Sequence, residues 1–228
     1  MDLVDNLNDS LNFAKKMFDN LGKLLILIIL NIIPIVNFII IGYAARIIKD
    51  SPSIKEAPKL ENYRSLWIQG LKILIVILIY SIIPIIIMSV SIIPLLIIPW
   101  AVGRTFEMFT IMPFISKGFV TPIFILGLIL TILSLIFSII GAINMIKYDQ
   151  FKKAFDLKEI LTIIKGIGWG KYIMWLIIMF IIALFIGGLS NIPYIGWLIS
   201  LVISPIYLIF LSRSAALIYM EGITRKNE

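Results

Sequence analysis

Ionisable side chains divide this chain into blocks. Residues 24–45, 73–103, 118–146 and 172–212 contain no Lys, Arg, Asp or Glu; every charged residue lies between or beside these runs. A charge at the centre of a bilayer costs about 2.5–3.5 kcal/mol even on the most lenient insertion scale, so such runs predict membrane-crossing helices. The last run is about twice the ~20 residues that one crossing needs. Ser190-Asn191-Ile192-Pro193-Tyr194-Ile195-Gly196 interrupts it near the middle. Pro193 removes an amide hydrogen and disfavours helix at Ile192, while Gly196 permits a tight reversal. The pattern predicts a hairpin of two helices, 172–189 and 196–220.

The first run contains a shorter echo of that turn. Asn31-Ile32-Ile33-Pro34-Ile35-Val36-Asn37 resembles the segment around Pro193, and each is followed by an Ala pair, Ala44-Ala45 and Ala215-Ala216. Residues 24–45 therefore form either a short hairpin or one kinked span. In the second run, Pro84, Pro94 and Pro99 punctuate the apolar sequence. The reading is a span at 73–92 followed by an outer, irregular segment at 93–117. The third run predicts a span at 120–146.

Two further segments read as amphipathic helices on the inner face. In 1–23, Leu3, Leu7, Leu11, Ala14, Phe18 and Leu21 follow steps of four and three, which places them on one side. In 157–165, Leu157, Ile160, Leu161 and Ile164 do the same, behind an Asp156 N-cap with its reciprocal Glu159. Trp169, Tyr172 and Trp175 then suit an anchor at headgroup depth.

Charge orients the chain. Arg46 to Lys72 and Lys147 to Lys171 each carry six Lys/Arg, whereas Arg104 and Lys117 are alone in the 104–117 stretch. The positive-inside rule puts both rich segments in the cytoplasm. Reversal at Pro34 keeps Lys15, Lys16 and Lys23 on that side too, so both termini are expected to be cytoplasmic. The net charge of +7 then points to anionic headgroups as partners rather than to nucleic acid.

Composition narrows the chemistry. There is no Cys and no His, which removes thiolates, disulfides, imidazole bases and the usual metal ligand. No Asp or Glu lies within the four runs, which argues against ion coupling through a buried carboxylate. Arg104 and Glu107, three apart, suit a surface ion pair. Gly127, Thr131, Ser134, Ser138 and Gly141 recur in steps of four and three. That face serves close helix packing, or else a polar permeation path. Asn31, Asn37 and Asn191, beside the breaks at Pro34, Pro193 and Gly196, either bond backbone freed by proline or coordinate a ligand. No catalytic, cofactor-binding or metal-ligating set emerges.

Ile33-Pro34-Ile35-Val36-Asn37-Phe38-Ile39-Ile40-Ile41-Gly42-Tyr43 and Arg46 resemble the opening signature of domain-of-unknown-function family 4013, uncharacterised membrane proteins of archaea and bacteria. Pro58, Asn62-Tyr63, Leu66-Trp67 and Gly70-Leu71-Lys72 are similar to it as well. So are Ala154-Phe155-Asp156 through Glu159-Ile160 and Gly168-Trp169-Gly170-Lys171-Tyr172. The resemblance implies a membrane architecture and carries no activity.

The resulting expectation is one integral membrane domain over 1–228, all-α, with about five or six membrane segments, Pro-broken hairpins and cytoplasmic amphipathic helices. Its expected place is the cell membrane. Its expected role is non-enzymatic: an accessory or scaffold protein of the envelope with a membrane-protein partner or a second copy of itself. The alternatives are an uncoupled permease for a neutral or amphiphilic solute and a membrane-shaping protein.

Overall fold

The computed structural model describes residues 1–102 and 116–226. Every regular element among them is helical: α1 Leu3–Lys15, α2 Leu21–Ile32, α3 Phe38–Asp50, α4 Tyr63–Val102, α5 Thr121–Tyr148, α6 Leu157–Ile167, α7 Trp169–Leu189 and α8 Gly196–Lys226. Tight 3-10 turns occupy Lys16–Asp19 and Phe151–Phe155, and a wider π turn at Ser116–Val120 precedes α5.

Among the described residues, four helices are long and apolar enough to cross a membrane: Tyr63–Ile93, Lys117–Tyr148, Trp169–Leu189 and Gly196–Arg225. In the first three, no more than 17% of the most apolar window is buried. Ile83, Phe180 and Phe185 are among the many large apolar side chains facing outward. Such a surface is stable against hydrocarbon and not against water. The fourth differs, with 44% of its window buried, because α8 is the central post of its unit.

The chain forms two compact units, Met1–Ile75 with Ile140–Glu228, and Val76–Ile139. In the first, α8 packs against α1, α2, α3, α6 and α7. Every residue from Ser212 to Tyr219 is buried. A Cβ on Gly166 would overlap the Gly222 carbonyl, and one on Gly222 would come within 2.7 Å of the Ile163 oxygen. Glycine at both positions is what lets α6 and α8 touch backbone to backbone.

The two proline turns repeat each other in detail. The residue after each proline takes positive φ, Ile35 at 71° and Tyr194 at 68°. In each, the amide four residues on closes back to the residue before proline: Asn37 N to Ile33 O at 3.1 Å, Gly196 N to Ile192 O at 2.9 Å. Proline presets the first corner and the left-handed residue makes the second. A β-branched Ile in that conformation is strained. At about 1.5 Å per residue, α2 and α3 are each under 20 Å long, against a hydrocarbon core of ~30 Å.

In the second unit, α5 meets α4 through the small-residue face. Ser134 Oγ donates to Tyr80 O at 2.7 Å. Pro84, four residues beyond Tyr80, lacks the amide that would otherwise bond that carbonyl, so the hydroxyl replaces it. Gly127 is buried with Met88 against it, and Thr131 and Ser138 return their hydroxyls to Gly127 O and Leu135 O.

Several expectations shift. Helix α4 continues through Pro94 and Pro99 to Val102, where an irregular segment had been expected from 93; Arg104 and Glu107 lie outside the described residues. The leucine stripe of the amino-terminal helix is not its core face. Asn6, Ser10, Phe13 and Ala14 are buried there, with Met17 just beyond, while Leu11, Phe18 and Leu21 are exposed. The reason is polar docking onto α8, described below. The buried stripe of α6 is likewise rotated to Ile160, Ile163, Ile164 and Ile167, leaving Leu157 exposed, because Gly166 sets which side meets α8. Tyr172 and Trp175 are fully buried and stacked on each other rather than placed as a belt; Trp169 alone of the three is exposed.

Candidate functional site

The loop from Ser51 to Glu61 has no regular structure, so its carbonyls have no helical partners. Cations from four separate places in the chain take them up. Lys147 Nζ donates to Ser51 O and, at 3.1 Å, to Lys49 O. Arg213 Nη1 donates to Pro52 O at 3.1 Å and Ile54 O at 3.0 Å. Lys16 Nζ reaches Lys55 O at 3.0 Å, and Lys23 Nζ reaches Ala57 O at 2.8 Å. Tyr43 and Arg46 complete the series on Pro58 O at 2.7 Å and Lys59 O at 3.1 Å. The loop is thus clasped by the 3-10 turn at Lys16 and by α2, α3, α5 and α8.

Arg213 is the centre of the clasp. It is 6% exposed, pairs through Nε with Asp9 Oδ2 at 2.8 Å, and lies over the Phe13 ring at 5.0 Å. Only a guanidinium offers enough donors in a fixed fork to serve a carboxylate and several carbonyls at once. Beside it, Trp175 Nε1 donates to Ser214 Oγ at 2.8 Å; Ser214 Oγ donates to Asn6 Oδ1, and Asn6 Nδ2 returns a bond to Ser214 O at 3.2 Å. This closed set of polar groups turns Asn6 and Ser10, not the leucines, toward α8.

A second network joins α5, α6 and α8. Tyr219 Oη donates to Asn144 Oδ1 at 2.6 Å, and Asn144 Nδ2 donates to Lys153 O at 2.9 Å. Glu159 accepts from Tyr148 Oη at 2.9 Å and Lys153 Nζ at 2.7 Å. Asp156 caps α6 by accepting from Glu159 N at 3.2 Å. A third set ties Lys171 Nζ to the Glu221 carboxylate and to Met1 O, with Arg225 on Glu221 at 3.0 Å.

Against the loop lies a cavity of about 480 Å³, bounded by α3, the 58–61 strap, the first turns of α4 and Asp149. Its walls meet by glycine. A Cβ on Gly42 would overlap the Leu66 carbonyl and one on Gly70 the Phe38 carbonyl, so α3 and α4 are in backbone contact. Trp67 Nε1 donates to Ile35 O at 2.9 Å, satisfying the proline turn, and its ring meets Phe38 edge-on.

The family model described as protein of unknown function (DUF4013) matches residues 26–195. The chain belongs to this family. Comparison with curated proteins and with solved structures gave no match. Several of the residues that carry the family likeness converge at the site: Gly42, Tyr43, Arg46, Pro58, Trp67 and Gly70 build the α3–α4 crossing and its strap, and Asp156 and Glu159 the second network. Arg213 and Tyr219, which complete both, lie on α8 beyond the DUF4013 match.

Of the asparagines at helix breaks, Asn31 Nδ2 donates to Ser204 Oγ at 2.8 Å, on α8 beside Pro205. Its amide thus bonds a side chain of another helix rather than backbone freed by Pro34. Asn191 Nδ2 makes only a long contact to Gly188 O at 3.4 Å, and Asn37 makes no side-chain cap bond. Pro34, Pro193 and Gly196 form the turns themselves. Gly141 is buried in the first unit, apart from Gly127, Thr131, Ser134 and Ser138 in the second.

Sequence reasoning missed Asn6, Asn144, Lys147 and Arg213. A usable signal existed for two of them. Asn144 is the one amide inside the third charge-free run, and Arg213 sits between two serines where an otherwise apolar helix continues.

The acidic groups here have a shared electrostatic bias. Lys49 holds the Asp149 carboxyl below the usual range, and Lys153 with the Glu159 amide does so for Asp156. For Glu159, burial opposes the charge, but hydrogen bonds from Lys153, Tyr148 and Asn144 outweigh it and lower the pKa. Carboxylates with depressed folded values stabilise above their unfolded pKa, about 3.9 for Asp and 4.3 for Glu, and that stability is lost as pH falls through the folded values. Thermal unfolding in detergent should therefore be level from about pH 7 to 5 and decline below about pH 4. Glu159→Gln should flatten part of that decline; an unchanged profile would show that Glu159 contributes none of it.

Proposed function

We propose that this protein is a non-enzymatic, multi-pass scaffold of the cell membrane, which presents the clasped loop and its neighbouring helices as a rigid cytoplasmic platform for another membrane protein or a second copy of itself. The observation that supports this reading most is the inward use of charge. Lys16, Lys23, Arg46, Lys147 and Arg213 are engaged on backbone carbonyls of the same region, an arrangement that rigidifies a surface rather than performs chemistry. Exposed Lys15, Lys152, Lys158 and Lys165 remain free to meet anionic headgroups. The hydroxyls of the α5 face, bonded to backbone, favour packing over a solute path.

Purification in mild detergent should recover a stoichiometric partner or a defined homo-oligomer; a lone monomer under all mild conditions would count against the scaffold reading. Orientation has its own test, since the chain has no native cysteine. Single cysteines at Asn12, Ser53 and Thr224 should react only from the cytoplasmic side, and one at Asn191 only from outside. External labelling at Asn12 would eliminate reversal at Pro34.

A further inference from the structure

We propose that the cavity between α3, the 58–61 strap and α4 binds a phosphoethanolamine zwitterion, carried by a lipid headgroup or by the free compound. The argument begins with charge. Three cations, Arg46, Lys49 and Lys59, and three carboxylates, Asp50, Glu61 and Asp149, line one space of about 480 Å³. Lys49 and Asp149 neutralise each other at 3.0 Å. The rest are not spent that way. Arg46 gives one nitrogen to Lys59 O, which leaves most of its fork of donors; among the described residues, Asp50 and Glu61 make no ion pair within 4.0 Å.

Arg46 and Glu61 therefore face the same cavity outside any ion pair, and Asp50, which also lies in the field of Lys147, adds to its negative side. An anion alone would be drawn to Arg46 and repelled by two carboxylates, and a cation alone the reverse. A zwitterion meets both demands. Phosphate oxygens match the planar guanidinium fork, and a primary ammonium has three donors for the carboxylates. A quaternary ammonium is the poorer match because it relies on aromatic walls, and no aromatic ring lines this cavity.

Position and rigidity support a headgroup-sized ligand. Ser65, Leu66 and Gln69 of the wall belong to the first turns of α4, about one to two turns before its charge-free run begins at Ile73. A lipid lying along α4 would thus bring its headgroup to the cavity. The floor, where Gly42 touches the Leu66 backbone, cannot close up or splay without breaking a helix contact, so the site is formed in advance.

The test uses the full-length protein in neutral detergent with tail-labelled phosphatidylethanolamine, phosphatidylcholine and phosphatidylglycerol, and with free phosphoethanolamine as competitor. Phosphatidylethanolamine should bind saturably and about tenfold more tightly than the other two, as expected for one charge-assisted contact. Glu61→Gln and Asp50→Asn should remove that preference while leaving phosphatidylglycerol binding equal or stronger. Arg46→Gln should weaken all three lipids. Glu61 is exposed, so its variant should keep the wild-type melting temperature and report on binding alone. Competition by free phosphoethanolamine would identify a soluble source, and its failure a lipid source; either supports the zwitterion. Equal or tighter binding of phosphatidylglycerol by the wild type, absence of saturable binding, or carboxylate variants that leave the preference intact would overturn it.

Discussion

Replacing Arg213 with Met should lower the melting temperature of the detergent-solubilised protein by about 6–12 °C, the shift that corresponds to roughly 3 kcal/mol in a chain of this size. The ion pair is the smaller part of that figure. Asp9 is 42% exposed on its side chain, so water can partly solvate it once the guanidinium is gone. The larger part comes from the loop: buried Ser51 Oγ would lose a donor, at about 1–3 kcal/mol for a buried group left unsatisfied, and the part-buried Pro52 O and Ile54 O would lose theirs at a smaller cost each. Loss of the Phe13 contact adds to this. Arg213→Lys should recover only a fraction, because an ammonium keeps the charge and loses the fork. Melting within about 2 °C of wild type for the Met variant would show that the clasp contributes little, an inference drawn on the same size scaling.

Gly42→Ala should be comparably damaging, by about 3 kcal/mol, although it adds a single methyl group. The new Cβ would collide with the Leu66 carbonyl, and backbone cannot rotate away as a side chain can. Relief requires α3 and α4 to separate, which would also pull Tyr43 and Arg46 from the strap they hold. Gly22→Ala supplies the contrast. Its nearest neighbour for an added Cβ is the Asn20 side chain at 3.8 Å, so the substitution should be neutral or stabilising by up to ~1 kcal/mol through helix propensity. The yield of monodisperse protein and its melting temperature should separate the two variants clearly. Equal behaviour would mean that the close α3–α4 approach does not govern stability.

Both predictions concern residues whose roles were unequally visible beforehand. Gly42 stood in the family-like signature, yet nothing in its spacing said that it meets Leu66. Arg213 is visible in the sequence only as the first charge after the run 172–212. The break at Pro34 and the break at Pro193 were legible as an echo, since proline and the residues around it act locally. The amide of Asn31 stands out beside its break, but it acts across to Ser204 on α8, a partner more than 170 positions away in sequence. The amphipathic stripes misled for a related reason. Periodicity shows that a helix has an apolar face; in a bilayer that face can meet lipid as well as protein. In α1 the polar groups Asn6 and Asp9 face the neighbouring helix, and Leu11 faces outward.

The sequence by itself determined the helical class, the four apolar runs, the proline turns and the cap at Asp156, because each follows from hydration cost, backbone sterics or bonding within a few residues. Tertiary structure alone decided which cations hold the 51–61 loop, which glycines bring helices into backbone contact, and which carboxylates stay unpaired beside Arg46. Those are meetings between distant segments. Their energies depend on distance and solvation in the folded chain, which spacing along the sequence does not encode.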